Sequence, residues 1–183
     1  MNRLSWPLFA LLTLTSLGLA QDHPELKLPV PALQKLMLGS WSTRITYDKS
    51  KDLPNGEVAA GEENWYPGPG GLSLVEEYRE HNSKGEIQGL GVAWWDASLN
   101  AYHVLWYEST DPAGCTIPNG VARWEGDHLV LASQQEVGGK KLKFREIFSD
   151  ITPTSFRQTL YSAEGDSELK AFVTIRATRK SGP

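Results

Sequence analysis

The chain has 183 residues, a formal net charge of −4, 40% hydrophobic and 22% charged residues, and one Cys beside seven Trp, six Tyr and five Phe. That mixture belongs to a globular domain and excludes a disordered tail, a collagen-like fibre and a disulfide-stapled miniprotein. With an acidic balance and no stripe rich in Lys and Arg, the surface does not track phosphates, and nucleic acid is not expected as a partner.

Residues 1–20 read as a signal peptide. Met1, Asn2 and Arg3 form a short cationic start, no charge follows from Leu4 to Leu19, and Gly18 and Ala20 occupy positions −3 and −1 ahead of Gln21. The apolar run of about 16 residues is interrupted by Pro7, Thr13, Thr15 and Ser16. It is shorter than the roughly 20 residues a spanning helix needs, so no membrane span is expected after cleavage. No Cys near Ala20 is available to take a lipid. The expected destination is the periplasm or the medium. Removing 20 residues from 183 leaves 163, and 17 basic against 22 acidic groups bring the charge to −5. A chain of that size buries roughly 70% of its unfolded surface, enough for one core without staples. Cys115 has no partner for an internal disulfide, and no local signature marks it as a nucleophile.

A Pro-punctuated linker, 21–31, leads to a single domain over 32–180. Within 32–38, Leu33, Leu36 and Met37 fall at i, i+3 and i+4, which predicts a short amphipathic helix ended by Gly39. From Trp41 onward the period changes to two. The alternation predicts strands at about 40–48, 57–66, 71–81, 86–95, 100–109, 115–125, 128–136, 141–150, 155–163 and 167–179. Between them stand residues that tolerate positive φ, such as Asn82 to Gly85, Gly126-Asp127, Gly138-Gly139 and Gly165-Asp166. Pro67 to Gly71 is a run that cannot pair in a ladder. Ten hairpin-joined strands must dispose of their edges, and an antiparallel up-and-down β-barrel does so most simply, with a two-sheet sandwich as the alternative. Several strands are apolar on both faces, as with Leu90, Val92 and Trp94 against Ala93 and Trp95. The second face calls for a cover, whether the helix, a loop or a second copy in a homodimer, or else for a ligand cavity.

Gly39-Ser40-Trp41 opening the first strand after a short helix, with an Arg-bearing last strand from Thr174 to Lys180, resembles the calycin or lipocalin-like barrels. Further stretches are similar to the bacterial domain of unknown function 1579 family. They are Leu36 to Trp41, Trp94-Trp95-Asp96 followed by Tyr102, Trp124 to Leu129 and Lys143 to Phe148, and the likeness covers about Pro31 to Lys180. The resemblance implies a lipocalin-like barrel and no particular activity. It also implies a structural set of Gly39, Trp41 and an Arg of the last strand, with the guanidinium stacked on the indole for about 0.5 to 2 kcal/mol. The candidates are Arg176 and Arg179, and parity favours Arg179, which shares a face with Val173, Ile175 and Ala177. Some barrels of nitrobindin type hold haem through a His late in the chain. Here the last His is His128, so neither haem nor another cofactor is expected.

Parity also places ionisable groups among apolar ones: Glu76 with Leu72, Leu74 and Tyr78; His103 with Leu105 and Tyr107; Glu146 with Phe144 and Phe148; Glu62 and Asn64 with Val58, Ala60 and Tyr66; and Arg123 with Val121. Such groups need partners or water. No metal site is expected, because His23, His81, His103 and His128 lack ligand spacing; no nucleophile elbow or phosphate loop is present. The leading expectation is a barrel whose cavity holds a small hydrophobic or amphipathic molecule, lined by the aromatics Trp65, Tyr78, Trp106, Tyr107 and Phe144 and the polar groups His103, Arg123 and Glu146. Two alternatives are an envelope protein with a filled core acting through its surface, and an enzyme with His103 as base oriented by Glu76 or Glu146.

Overall fold

The computed structural model describes residues 30–110, 117–137 and 139–181. The expected signal peptide, most of the expected linker and Cys115 lie outside the described residues. Helix α1 (Val30–Met37) precedes ten strands: β1 (Gly39–Tyr47), β2 (Glu57–Pro67), β3 (Ser73–Asn82), β4 (Gly85–Asp96), β5 (Ala101–Glu108), β6 (Ile117–Glu125), β7 (His128–Val137), β8 (Lys140–Ser149), β9 (Ser155–Glu164) and β10 (Lys170–Arg179). Each strand pairs antiparallel with its chain neighbour, and β10 pairs with β1, closing the sheet into an up-and-down barrel. No strand edge is left open, which is the physical gain of closure.

The two longest differences from the sequence expectation sit at turns. β3 begins at Ser73 because Pro69–Gly71 forms a 3-10 turn, with Gly70 at φ 66°. β10 begins at Lys170 because Ser167 Oγ donates to Glu164 O at 2.6 Å and prolongs the preceding turn. Among the described residues no helix is long and apolar enough to cross a membrane.

α1 closes the barrel end at which β1 starts. Gln34 Nε2 donates to Gly71 O (3.0 Å) and Ser73 O (3.2 Å), tying the helix to the β2–β3 connection. Leu33 and Met37 pack inward on Trp41, Trp65, Leu74, Tyr102, Phe148 and Phe156. Trp41 is 0% exposed; its indole donates to Met37 O at 2.8 Å and meets Phe156 edge-on at 4.7 Å.

Arg179 lies opposite Trp41 in the β1–β10 register, with its guanidinium carbon 4.0 Å from the ring centroid. The same guanidinium donates to Leu36 O (2.8 Å), Leu38 O and Pro153 O (2.6 Å). It thus neutralises the carbonyl end of α1, where a cation is favoured. Gly39 is required beside it: φ is +117°, and a Cβ there would sit 2.7 Å from the Arg179 Nη1 atom. Arg176, the other candidate, is on the outer face and exposed. Alternation along β10 puts Val173, Ile175 and Ala177 inside, and Arg176 between them points away.

Candidate functional site

The interior is not filled. Above the packed layer at the α1 end lies a cavity of about 450 Å³, walled by strands from all around the barrel. Part of the reason is the inner face of β4. Gly89 and Gly91 face inward while the larger Leu90 and Trp94 face out, Trp94 being 40% exposed. A Cβ on Gly89 would fall 2.4 Å from the Trp106 ring, and one on Gly91 would fall 3.0 Å from Glu76 Oε2. Glycine here admits two large side chains from neighbouring strands into the barrel.

The deep layer of the cavity is acidic. Glu63 of β2, Glu76 of β3 and Glu146 of β8 line it, with Gln158 of β9 on the strand next to Glu146. Glu63 is 1% exposed; its Oε2 accepts from Trp65 Nε1 at 3.0 Å, while its Oε1 is buried without a hydrogen-bond partner among the described residues. Gln158 is 3% exposed and its Oε1 likewise has no partner among the described residues. Burial raises all three carboxyls above the ordinary range. Glu146 is pushed up to about 8 by burial and then by the charge of Glu63. Glu76 rises well above the usual value by burial, with Glu63 and Glu146 adding repulsion.

Toward the far end from α1 the polar groups satisfy one another. Glu80 accepts from Tyr47 Oη (2.7 and 2.8 Å), Tyr78 Oη (2.6 Å) and Asn82 Nδ2 (2.8 Å). Burial, then the bond to Glu80, raises both phenols far above their ordinary range. Trp106 Nε1 donates to Glu108 at 3.2 Å, and its ring meets Tyr78 edge-on at 5.8 Å. Between the two polar layers the walls are apolar, with Phe144, Leu160, Phe172 and Ile175. Five Glu residues line the cavity, and no Lys, Arg or His does so among the described residues. Nor do three or more His, Cys, Asp or Glu side chains converge there as a metal-binding group.

Of the residues expected to line the site, Trp65, Tyr78, Trp106, Phe144 and Glu146 do so, and Glu76 joins them. His103, Tyr107 and Arg123 do not. Tyr102, Val104 and Trp106 take the inner face of β5, and Ala122 that of β6, so His103, Tyr107 and Arg123 point outward, while a register shift between β5 and β6 lets Ile117 line the cavity. Tyr107 is 43% exposed, and Arg123 is exposed. His103 stacks on Trp94 at 5.2 Å, with Nε2 3.0 Å from Asp96 Oδ2. Asp96 is lowered to about 2 by the Ser98 hydroxyl first and His103 second. The base-and-orienter pairing of His103 with Glu76 or Glu146 is therefore not formed, since the barrel wall separates them. Glu62 and Asn64 are also outside, and Glu63, Glu80, Glu108, Tyr47 and Gln158 are the cavity groups that parity reasoning did not single out.

No family model and no curated protein matches the chain. Solved structures do. The S-type phycobiliprotein lyase CPES from Guillardia theta is 10% identical, covering 84% of this chain and 94% of that one, with a TM-score of 0.59. Rv2717c from M. tuberculosis is 16% identical, covering 83% and 97%, with a TM-score of 0.57. The fold is that of the calycin or lipocalin-like barrels. At these identities the likeness shows the barrel fold alone, and the use of its interior is argued from this chain's own residues.

Proposed function

We propose that this barrel is a binding protein for a small hydrophobic or amphipathic molecule, held in its interior. The observation that carries the reading is the cavity of about 450 Å³ with apolar middle walls and a few placed polar groups at its ends. Small-ligand sites are concave, mostly apolar and of about 300–1,000 Å³. An interior this large would be an expensive void in a purely structural domain, because packed cores leave few gaps wider than a water molecule. The sequence supports export through residues 1–20, and the similar stretches around Trp41, Trp94 and Lys143 support membership of the domain of unknown function 1579 family.

The test is native mass spectrometry of the protein purified from the cells that make it, followed by titration of the stripped protein with dodecanol. The expected result is saturable binding of one molecule per chain. The variant Leu160→Trp, which adds an indole to the cavity wall, abolishes that binding without lowering the melting temperature. Binding that survives Leu160→Trp unchanged, or no binding at all, contradicts the reading.

A further inference from the structure

We propose that the molecule taken up carries a basic nitrogen on an apolar body, with the nitrogen seated at the α1 end of the cavity among Glu63, Glu76, Glu146 and Gln158. The proposal deepens the ligand-binding reading and rests on it.

Three observations lead there. First, the charge of the lining has one sign: five Glu and no basic side chain among the described residues. Carboxylates grouped in a low-dielectric interior repel one another and lose hydration, and a cation between them relieves both costs. Second, the unmet hydrogen-bonding capacity of the cavity lining has one sense. Glu63 Oε1 and Gln158 Oε1 are buried acceptors with no donor among the described residues, and Gln158 is neutral, so this demand for a donor does not arise from charge. Unpaired buried acceptors are rare and point to a donor from outside the chain. Third, the two acidic layers differ. Glu80 and Glu108 have their donors in Tyr47, Tyr78, Asn82 and Trp106, whereas the deep layer shows open acceptors. A polar head therefore gains most at the deep end.

The class of cation also follows. Among the described residues no three side chains converge as a metal-binding group, which disfavours a bare metal ion. The walls next to the acids, with Phe144, Leu160 and Ile175, would leave a small hydrated cation poorly solvated. An organic ammonium matches both: its N–H groups donate to Glu63 and Gln158, and its carbon chain covers the apolar middle of the barrel. Charge-assisted hydrogen bonds of this kind are the strong ones.

The experiment compares dodecylamine, dodecanol and dodecanoate on the full purified protein by calorimetric titration at neutral pH, below their micellar concentrations. The amine is expected to bind roughly tenfold or more tightly than the alcohol, and the carboxylate most weakly. Glu63→Gln is expected to lower amine affinity by about tenfold and to narrow the preference for amine over dodecanol. Glu76→Gln is the second variant and should act in the same direction, and melting curves establish that each is folded. Equal affinity for amine and alcohol, or amine affinity untouched by both variants, overturns the proposal while leaving a general apolar binding site. Failure of all three compounds to bind overturns the ligand-binding reading itself.

Discussion

Glu146→Gln should make this protein more stable, with an advantage that grows as pH rises from about 4.5 toward 8. Glu146 lines the cavity beside Phe144 and Phe148, and its carboxyl is raised from 4.5 to about 8 by burial and the charge of Glu63. The folded state therefore holds this proton more tightly than the unfolded chain does. The stabilising contribution is complete below pH 4.5 and is lost as pH rises through about 8. A carboxyl displaced that far corresponds to roughly 4–5 kcal/mol once it is fully ionised. Glu146 is only half-buried and faces a cavity wide enough for water, so about 2 kcal/mol is the working figure. Gln keeps the shape and cannot ionise. Urea or thermal unfolding of both proteins from pH 4.5 to 9 should give matching stability at the acid end. At pH 9 the variant should lead by about 2 kcal/mol, roughly 4–8 °C in melting temperature for a domain of this size. A gap independent of pH, or a parent that is the more stable at pH 9, refutes the reasoning.

Arg179→Met should cost roughly 2–4 kcal/mol by removing the stack on Trp41 and the donors to Leu36 O, Leu38 O and Pro153 O, read as a lower urea midpoint. Arg176→Met, on the exposed face, should change that midpoint by less than about 0.5 kcal/mol. Gly91→Val should displace the Glu76 carboxyl, whose Oε2 lies 3.0 Å from the new Cβ, and weaken dodecanol binding by roughly tenfold in a titration. His103→Ala removes an outer-face pair with Asp96 and should leave ligand binding unchanged, with a stability loss of under about 1 kcal/mol.

The barrel was legible because period-two alternation and turn residues are local signals. Gly126 and Gly165 mark real reversals, with φ 66° and 61°, and nine short links between ten strands leave little choice of topology. The Trp41–Arg179 pairing was legible through the resemblance and through the parity of β10. Facing was harder to read. On β4 the bulk is inverted, since Gly89 and Gly91 face the cavity while Leu90 and Trp94 face solvent, and a rule that puts large apolar residues inside reads that strand backwards. The same rule put His103 and Tyr107 inside β5, although their neighbours Tyr102, Val104 and Trp106 hold that place. Adjacent Glu62 and Glu63 are indistinguishable by type, and only the barrel assigns one to water and the other to the cavity. On β10 a bulge between Ala171 and Val173 lets Phe172 line the cavity along with Val173, which strict alternation forbids. The acidic layer is assembled from β2, β3 and β8, with Gln158 of β9 beside it, so its composition depends on register across the barrel rather than on any local motif.

The central claim is that the ligand sits inside the barrel, and quenching of tryptophan fluorescence by a bromine-bearing alcohol, 12-bromododecanol, tests it most directly. Trp65 and Trp106 line the cavity, while Trp94 and Trp124 are on the outer face. Quenching is expected to saturate at one equivalent, to shrink in Trp65→Phe/Trp106→Phe and to persist in Trp94→Phe/Trp124→Phe. Quenching that survives the first pair of substitutions and disappears with the second would place the molecule on the outer wall and contradict the account.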